Sequence, residues 1–310
     1  MSALPNNITV RQDLTAYAFA LMPDVAMVNG LANLLAPVVP TGAMVGRYNI
    51  FSDLNSFRTY ASSSRAIGGQ SNAINFLSDT ADFSAKPSGL RISIDNVERV
   101  QAGAMVNLME QGKVRTLTLA CANSRLANVI STVKAGVAAT AGKGTWTNPN
   151  TDPIVEIDSQ IEAIWNATGM LPNTILMDFG AWLKLKDNPN IRDRMPGADL
   201  AVVNTDRMSA LLAVPGIRVV VSEVAMYANR TAEAANTKSG ALAGSCLIFY
   251  SSPMASQYDP SFCKTFSPST TLFTDVFTYE EQPHLTWYEN NWTDVVKVVG
   301  SALARRIDVA

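Results

Sequence analysis

The sequence predicts an α+β fold organised around one long helix, and three observations predict it. Residues 10–35 place apolar side chains at helical spacing. Residues 41–88 hold scattered aromatics but little helical or strand period. That stretch ends in the strand-like run Gly89-Leu90-Arg91-Ile92-Ser93-Ile94, and a very long helical pattern follows at once. A compact domain has little use for a long structureless loop. A subunit that assembles does have a use for one, because a neighbouring copy covers it.

Leu14, Tyr17, Ala18 and Leu21 recur along one helical face. Pro23 breaks that helix or starts another. Val25, Val28, Leu31 and Leu35 continue the spacing until Pro37 and Pro40. The polar face holds Arg11 and no lysine, which argues against a membrane-surface helix. Arg47-Tyr48-Asn49-Ile50-Phe51 alternates as a strand does, and Gly68-Gly69 punctuates a loop. The segment reads as an extended hairpin whose aromatics, among them Phe51, Phe57, Tyr60, Phe76 and Phe83, pack on another subunit.

Asp95 and Glu98 have capping-box spacing at the start of a helix over 95–136. Leu119, Ala122, Leu126, Val129 and Val133 mark its buried face. Gly103 and Gly112 weaken its first half, and a bend is expected near Gly112. A mixed α/β unit over 153–265 follows. Ile154, Ile157, Ile161, Ile164 and Trp165 form one helical face, and Thr174-Ile175-Leu176-Met177 is a buried strand. A short helix from Ala181 to Lys186 stops near Pro189. Apolar runs from Gly216 to Val224 and from Ser245 to Ser252 read as buried strands around a small-residue loop. The last forty or so residues read as strands at 271–278, 285–288 and 292–299.

With 310 residues the chain can bury a real core. Charged residues make up 16%, below the usual quarter or so, and no apolar run is long enough to span a membrane. The low charge fits a surface buried against other copies. The net charge of −2 excludes a nucleic-acid binder by overall charge. The N-terminus lacks a secretory signal, so the protein reads as made in a cytosol. Cys121, Cys246 and Cys263 are far apart and read as reduced, buried thiols.

Catalytic and cofactor signatures are absent. Gly136, Gly142 and Lys143 miss the phosphate-loop spacing, and Gly144 stands where a hydroxyl residue is needed. His284 is the one histidine and reads as a strand-edge residue; a metal site would need clustered ligands. No cofactor, metal or catalytic residue is expected. A carboxylate pair in an oligomeric α/β enzyme is the alternative that sequence leaves open.

The order of these segments resembles a major capsid protein of tailed bacteriophages, of the Hong Kong ninety-seven type. Leu34-Leu35-Ala36-Pro37-Val38-Val39-Pro40 with Gly46-Arg47-Tyr48 is similar to the passage from that family's N-terminal arm into its E-loop. Gly89 to Asp95 resembles the return of that loop into the spine helix. Pro172 to Met177, then Trp182 and Leu183, then Asn188-Pro189, resemble the axial domain, and Ser261 to Phe266 the return to the peripheral domain. The resemblance implies an arm at 1–40, an E-loop at 41–90, a peripheral domain with the spine helix at 91–150, an axial domain at 151–265 and peripheral return strands at 266–310. It implies a shell of pentamers and hexamers around double-stranded DNA in a virion, made in the bacterial cytoplasm. A protein-cargo nanocompartment is the variant of that reading.

Leu14, Tyr17, Arg47, Tyr48, Phe51, Arg58, Tyr60, Arg65, Phe76, Glu280 and Glu281 are expected at subunit interfaces, the arginines facing the acids. Arg91, Arg99, Lys113, Arg115, Arg125 and Lys134 outnumber Asp95, Glu98 and Glu110 by three along the long helix. Arg99, Lys113, Arg115 and Arg125 are therefore expected to face packaged DNA, without tight binding. The family often carries a fused assembly domain ahead of the arm. Here the arm begins almost at Met1, which implies a separate scaffolding protein, with portal and decoration proteins as further partners and no membrane.

Overall fold

The computed structural model describes residues 8–20, 23–51, 64–65, 67–71, 79–194, 204–214, 216–227, 238–269, 276–282 and 284–309. Ile8–Val10 (β1) leads into Gln12–Ala20 (α1), and Pro23–Leu35 (α2) follows. Pro23 therefore starts a helix, where its missing N–H costs nothing. Val38–Pro40 (β2) precedes Val45–Ile50 (β3), and Asp79–Ser84 (β4) returns antiparallel to β3, from Val45 opposite Ser84 to Ile50 opposite Asp79.

Lys86–Asp95 (β5) runs into Asn96–Ala102 (α3) through the expected capping box. The Asp95 carboxylate accepts the Val97 N–H at 2.8 Å, and Glu98 accepts the Asp95 N–H at 3.4 Å. The helix then breaks at Gly103, which sits at φ 53° and ψ −119° before a single 3₁₀ turn. Val106–Gly136 (α4) continues for 31 residues, about 46 Å at 1.5 Å each. The break thus falls at Gly103 and α4 runs unbroken through Gly112. Only position 103 needs a backbone that L-residues avoid; a glycine within a helix costs stability without stopping it.

Pro153–Thr168 (α5) is capped by Asp152 and ended by Gly169 at φ 70°. Its isoleucines are buried as expected, but Trp165 is 51% exposed, because it lies one position past Ile164 and so about 100° round the helix. Thr174–Asp178 (β6), Phe179–Asp187 (α6), Pro189–Asp193 (α7), Thr205–Leu211 (α8) and Arg218–Ser222 (β7) follow. The expected small-residue loop is flanked by Ala225–Tyr227 (β8) and Lys238–Gly240 (β9), which pair; residues 228–237 lie outside the described set. Ser245–Phe249 (β10), Cys263–Ser267 (β11), Phe277–Gln282 (β12), Leu285–Val298 (β13) and Ala304–Asp308 (β14) complete the chain.

Two sheets organise two lobes. The first has the order β1-β12-β13-β11-β2, with β5 also on β13. The second has the order β14-β10-β6-β7. The predicted strands 285–288 and 292–299 are one strand, β13. The gap left between them is extended strand: Asn290 and Asn291 lie opposite Leu90 and Gly89, and Asn290 is fully buried. A second correction concerns the C-terminus. Residues 266–310 were expected to return wholly to the first lobe, but β14 pairs antiparallel with β10 in the second sheet. Ala304 to Asp308 does not alternate and no strand was expected there, so the local pattern could not assign it to a sheet.

The main core lies between α4, the arm helices α1 and α2, and the first sheet. A second core fills the space between α5, α6, α8 and the second sheet. A small third cluster of Val39, Tyr48, Phe51, Phe83, Phe266 and Val299 roots the β3–β4 hairpin. Among the described residues no helix is long and apolar enough to cross a membrane.

Candidate assembly surfaces

The arm folds back on its own chain. Val25, Val28, Leu31, Ala32 and Leu35 of α2 are buried with Val114, Leu126 and Val129 of α4. Leu14 is 3% exposed in this core and Tyr17 packs against it, so Leu14 is not available to a neighbouring copy as expected. Helical spacing marks a buried face without saying which copy covers it. Arg125 fastens the arm from below: its Nη2 donates to Asn33 Oδ1 at 2.7 Å, and its Nε lies 3.5 Å from Asp294 of β13.

The hairpin calls divide. Tyr48 and Phe51 are buried within the subunit, Tyr48 beside Phe266 at 5.4 Å and Phe83 stacked on Phe266 at 4.7 Å. They root the hairpin, which corrects their assignment to an intersubunit face. Arg47 is exposed and pairs with Asp82 across the hairpin at 3.1 Å. Arg65 donates to the Gly69 carbonyl at 2.9 Å in an exposed turn. Glu280 lies on β12 opposite Thr286, and Glu281 follows it on the same strand. Arg58, Tyr60 and Phe76 lie outside the described residues.

The four basic residues assigned to DNA are engaged inside the subunit. Arg99 donates to Glu110 at 3.2 Å and to the Tyr288 hydroxyl at 3.1 Å. Burial, reinforced by Glu110, pushes the Tyr288 phenol up to about 12. Lys113 donates to Glu98 and to the Ser93 carbonyl, and Arg115 to Asp24. Arg125 is 1% exposed and cannot face DNA. Counting charge along the helix omitted Asp24 and Asp294, acids that folding brings from far along the chain, and these offset most of the local excess.

Unpartnered surface lies elsewhere. Val97, Val100, Met105 and Leu108 stand exposed around the Gly103 break, with Val100 at 81%. Phe179 and Leu183 are exposed on α6, and Met254 and Tyr258 on the loop after β10. A groove of about 420 Å³ runs between α2 and β7, lined by Met27, Leu31, Leu34, Val220 and Glu223. Among the described residues β7 ends the second sheet, so the groove borders a strand edge. Exposed apolar groups that lie close together, as Val97 and Val100 do on one helical turn, are the kind that contact surfaces use. The signal missed in the sequence was Val97 and Val100, apolar residues three apart at a helix start that both stay exposed.

The buried carboxylates serve structure. Glu156 accepts the Gly144 N–H and the Trp146 indole N–H, both at 2.9 Å. Gly144 thus spends its donor on a carboxylate. Among the described residues no three His, Cys, Asp or Glu side chains cluster as metal ligands.

No protein-family model and no curated protein matches the sequence. Solved structures do match, over nearly the whole chain. A phage-related protein from Bordetella bronchiseptica RB50 is similar at 20% identity and a TM-score of 0.69, with 97% of each chain covered. The capsid of cyanophage P-SCSP1u is similar at 16% identity and a TM-score of 0.55, over 89% of this chain and 86% of that one. A virus-like particle from Pyrococcus furiosus is similar at 9% identity and a TM-score of 0.55, over 96% and 98%. The chain therefore has the α+β fold of phage capsid proteins, as the resemblance in its sequence implied.

Proposed function

We propose that this chain is the major capsid protein of a tailed bacteriophage. Its copies close as pentamers and hexamers into an icosahedral shell around packaged double-stranded DNA. The observation that carries this reading is the likeness of fold, along nearly the full chain, to a phage capsid and a phage-related protein. The exposed apolar groups around Gly103, on α6 and at the open edge of β7 support it, since a shell lattice offers each of them a neighbour. The role is structural. A separate scaffolding protein guides assembly, portal and decoration proteins join the shell, and contact with DNA is nonspecific. The subunit is made in the bacterial cytoplasm and resides in the virion shell. Electron microscopy and light scattering of the purified chain, with any scaffold supplied, test this. Megadalton shells are expected; monomers or dimers alone at high concentration overturn it.

The second reading is a nanocompartment shell holding protein cargo, favoured by the likeness to the virus-like particle. Shells isolated from the native source decide between the two: encapsidated double-stranded DNA supports the phage reading, and a protein cargo without DNA the other.

A further inference from the structure

Strand β11 holds a lysine where none is cheap. Lys264 is 0% exposed, and every residue of β11 is buried. An ammonium in such a place is tolerated only where its donors are satisfied. The three acceptors all belong to the loop that follows β10. Nζ donates to the Asp259 carbonyl at 2.7 Å and the Gln257 carbonyl at 3.4 Å, and pairs with Asp259 Oδ1 at 3.0 Å. Asp259 braces the same loop, accepting the Ser256 N–H at 2.7 Å and the Ser261 hydroxyl. The braced loop then reaches the hairpin: Gln257 Nε2 donates to the Arg47 carbonyl of β3 at 2.7 Å. Phe51, at the end of β3, lies with its ring 5.4 Å from Lys264 Nζ, and its N–H is bonded to the Val299 carbonyl at 3.0 Å.

We propose that Lys264 and the 251–261 loop form a clip that holds the β3–β4 hairpin stem on the first sheet. Lys264 is the positioning residue. It orders the loop, the loop presents Gln257, and Gln257 holds β3. The stem is otherwise attached by the Phe51 N–H bond to Val299 and by the small apolar cluster around Phe266, so opening the clip frees it before the main core around α4 yields. Lys264 spends no donor on the hairpin itself and acts on it through the loop and the face of Phe51.

Hydrogen exchange on the full, unassembled chain tests the clip, and it does so whether or not the chain forms shells. Lys264→Met and Gln257→Ala are compared with the parent. Both are expected to speed exchange of β3 and β4 amides about tenfold while α4 amides stay at the parental rate. Any other pattern, including a rise shared with α4 or one confined to the loop, overturns the proposal. If Lys264→Met does not fold, the Gln257→Ala result alone decides.

Discussion

At Arg125 the chain places a guanidinium in its interior and surrounds it with Asn29, Asn33 and Asp294. Burial lowers the pKa of Arg125 and raises that of Asp294, and the attraction between the two opposes both shifts. Removing one partner leaves the other buried and unpaired. Arg125→Met is therefore expected to cost about 3–5 kcal/mol in denaturant unfolding. Adding Asp294→Asn should recover a large part of it; a double variant no better than the single would show that the pairing is not what Arg125 contributes. Acid acts through different carboxylates. Asp13 is held at about 2 by its hydrogen bond from Arg11. Burial pushes Asp259 up, but hydrogen bonds from Ser261 and Lys264 outweigh it and hold the group below its usual value. Both folded values lie below the unfolded ones, so this stability is present above about pH 4 and is lost as pH falls through the folded values. Asp294 runs the opposite way, its contribution being full at low pH and lost as pH rises. Stability should therefore fall between about pH 4 and 2, and Asp259→Asn should flatten that slope in a series of melts; an unchanged slope would clear Asp259 of any part. The three thiols were legible from sequence: all are free and buried, and burial pushes Cys121 and Cys263 up to about 12 and Cys246 higher still. A disulfide reagent should label none of them in the native chain and all three in guanidinium, and labelling of the native protein would show a thiol more open than its burial implies.

Among the elements, the long helix separates two uses of glycine. Gly103 sits at a positive φ with open space around it, so an added methyl group would strain the backbone without a clash. Gly112 also has open space, but within regular helix. Gly103→Ala is expected to destabilise by about 1–3 kcal/mol and Gly112→Ala to stabilise by about 1 kcal/mol, both read from thermal or denaturant melts. Equal effects of the same sign would mean that the helix is continuous through Gly103 in solution. The sequence placed the start of this helix correctly because the capping box is local chemistry of Asp95 and Glu98. It placed the break wrongly because both glycines carry the same propensity cost, and only the path of the chain tells a strained site from a helical one. The same limit explains β13. Its expected strands stopped on either side of the polar run 289–291, and the partner that holds that run extended, β5, lies nearly two hundred residues away. Trp165 failed for a geometric reason, since a buried stripe on a helix is narrower than the spacing rule that finds it.

For the whole molecule, the order of arm, hairpin, long helix, mixed unit and returning strands was legible, because each segment carries its own period and punctuation. The surfaces were not. Leu14, Tyr48 and Phe51 were expected to meet a neighbour and instead meet the subunit's own core, since an apolar pattern records burial and not the owner of the covering face. The exposed groups that remain, around Gly103, on α6 and beside β7, are the ones the proposed shell would cover with copies of the chain. The proposed shell of pentamers and hexamers would set one sequence in unlike surroundings. Shifting a subunit almost wholly from one conformation to another takes about 5.5 kcal/mol of differential binding. The hairpin stem, the element best placed to adapt, is held by a few hydrogen bonds worth about 1 kcal/mol each and by its aromatic root. Contacts of that size permit several orientations and do not select one curvature. On the proposed reading, a separate scaffolding protein that binds one orientation better than the others would supply the missing bias. Expressed alone, the chain is therefore expected to give sheets, tubes or shells of mixed size by electron microscopy, and uniform shells when the scaffold is supplied. Uniform particles of native size from the chain alone would move the choice of curvature into the subunit, to the packing of α1 and α2 on α4.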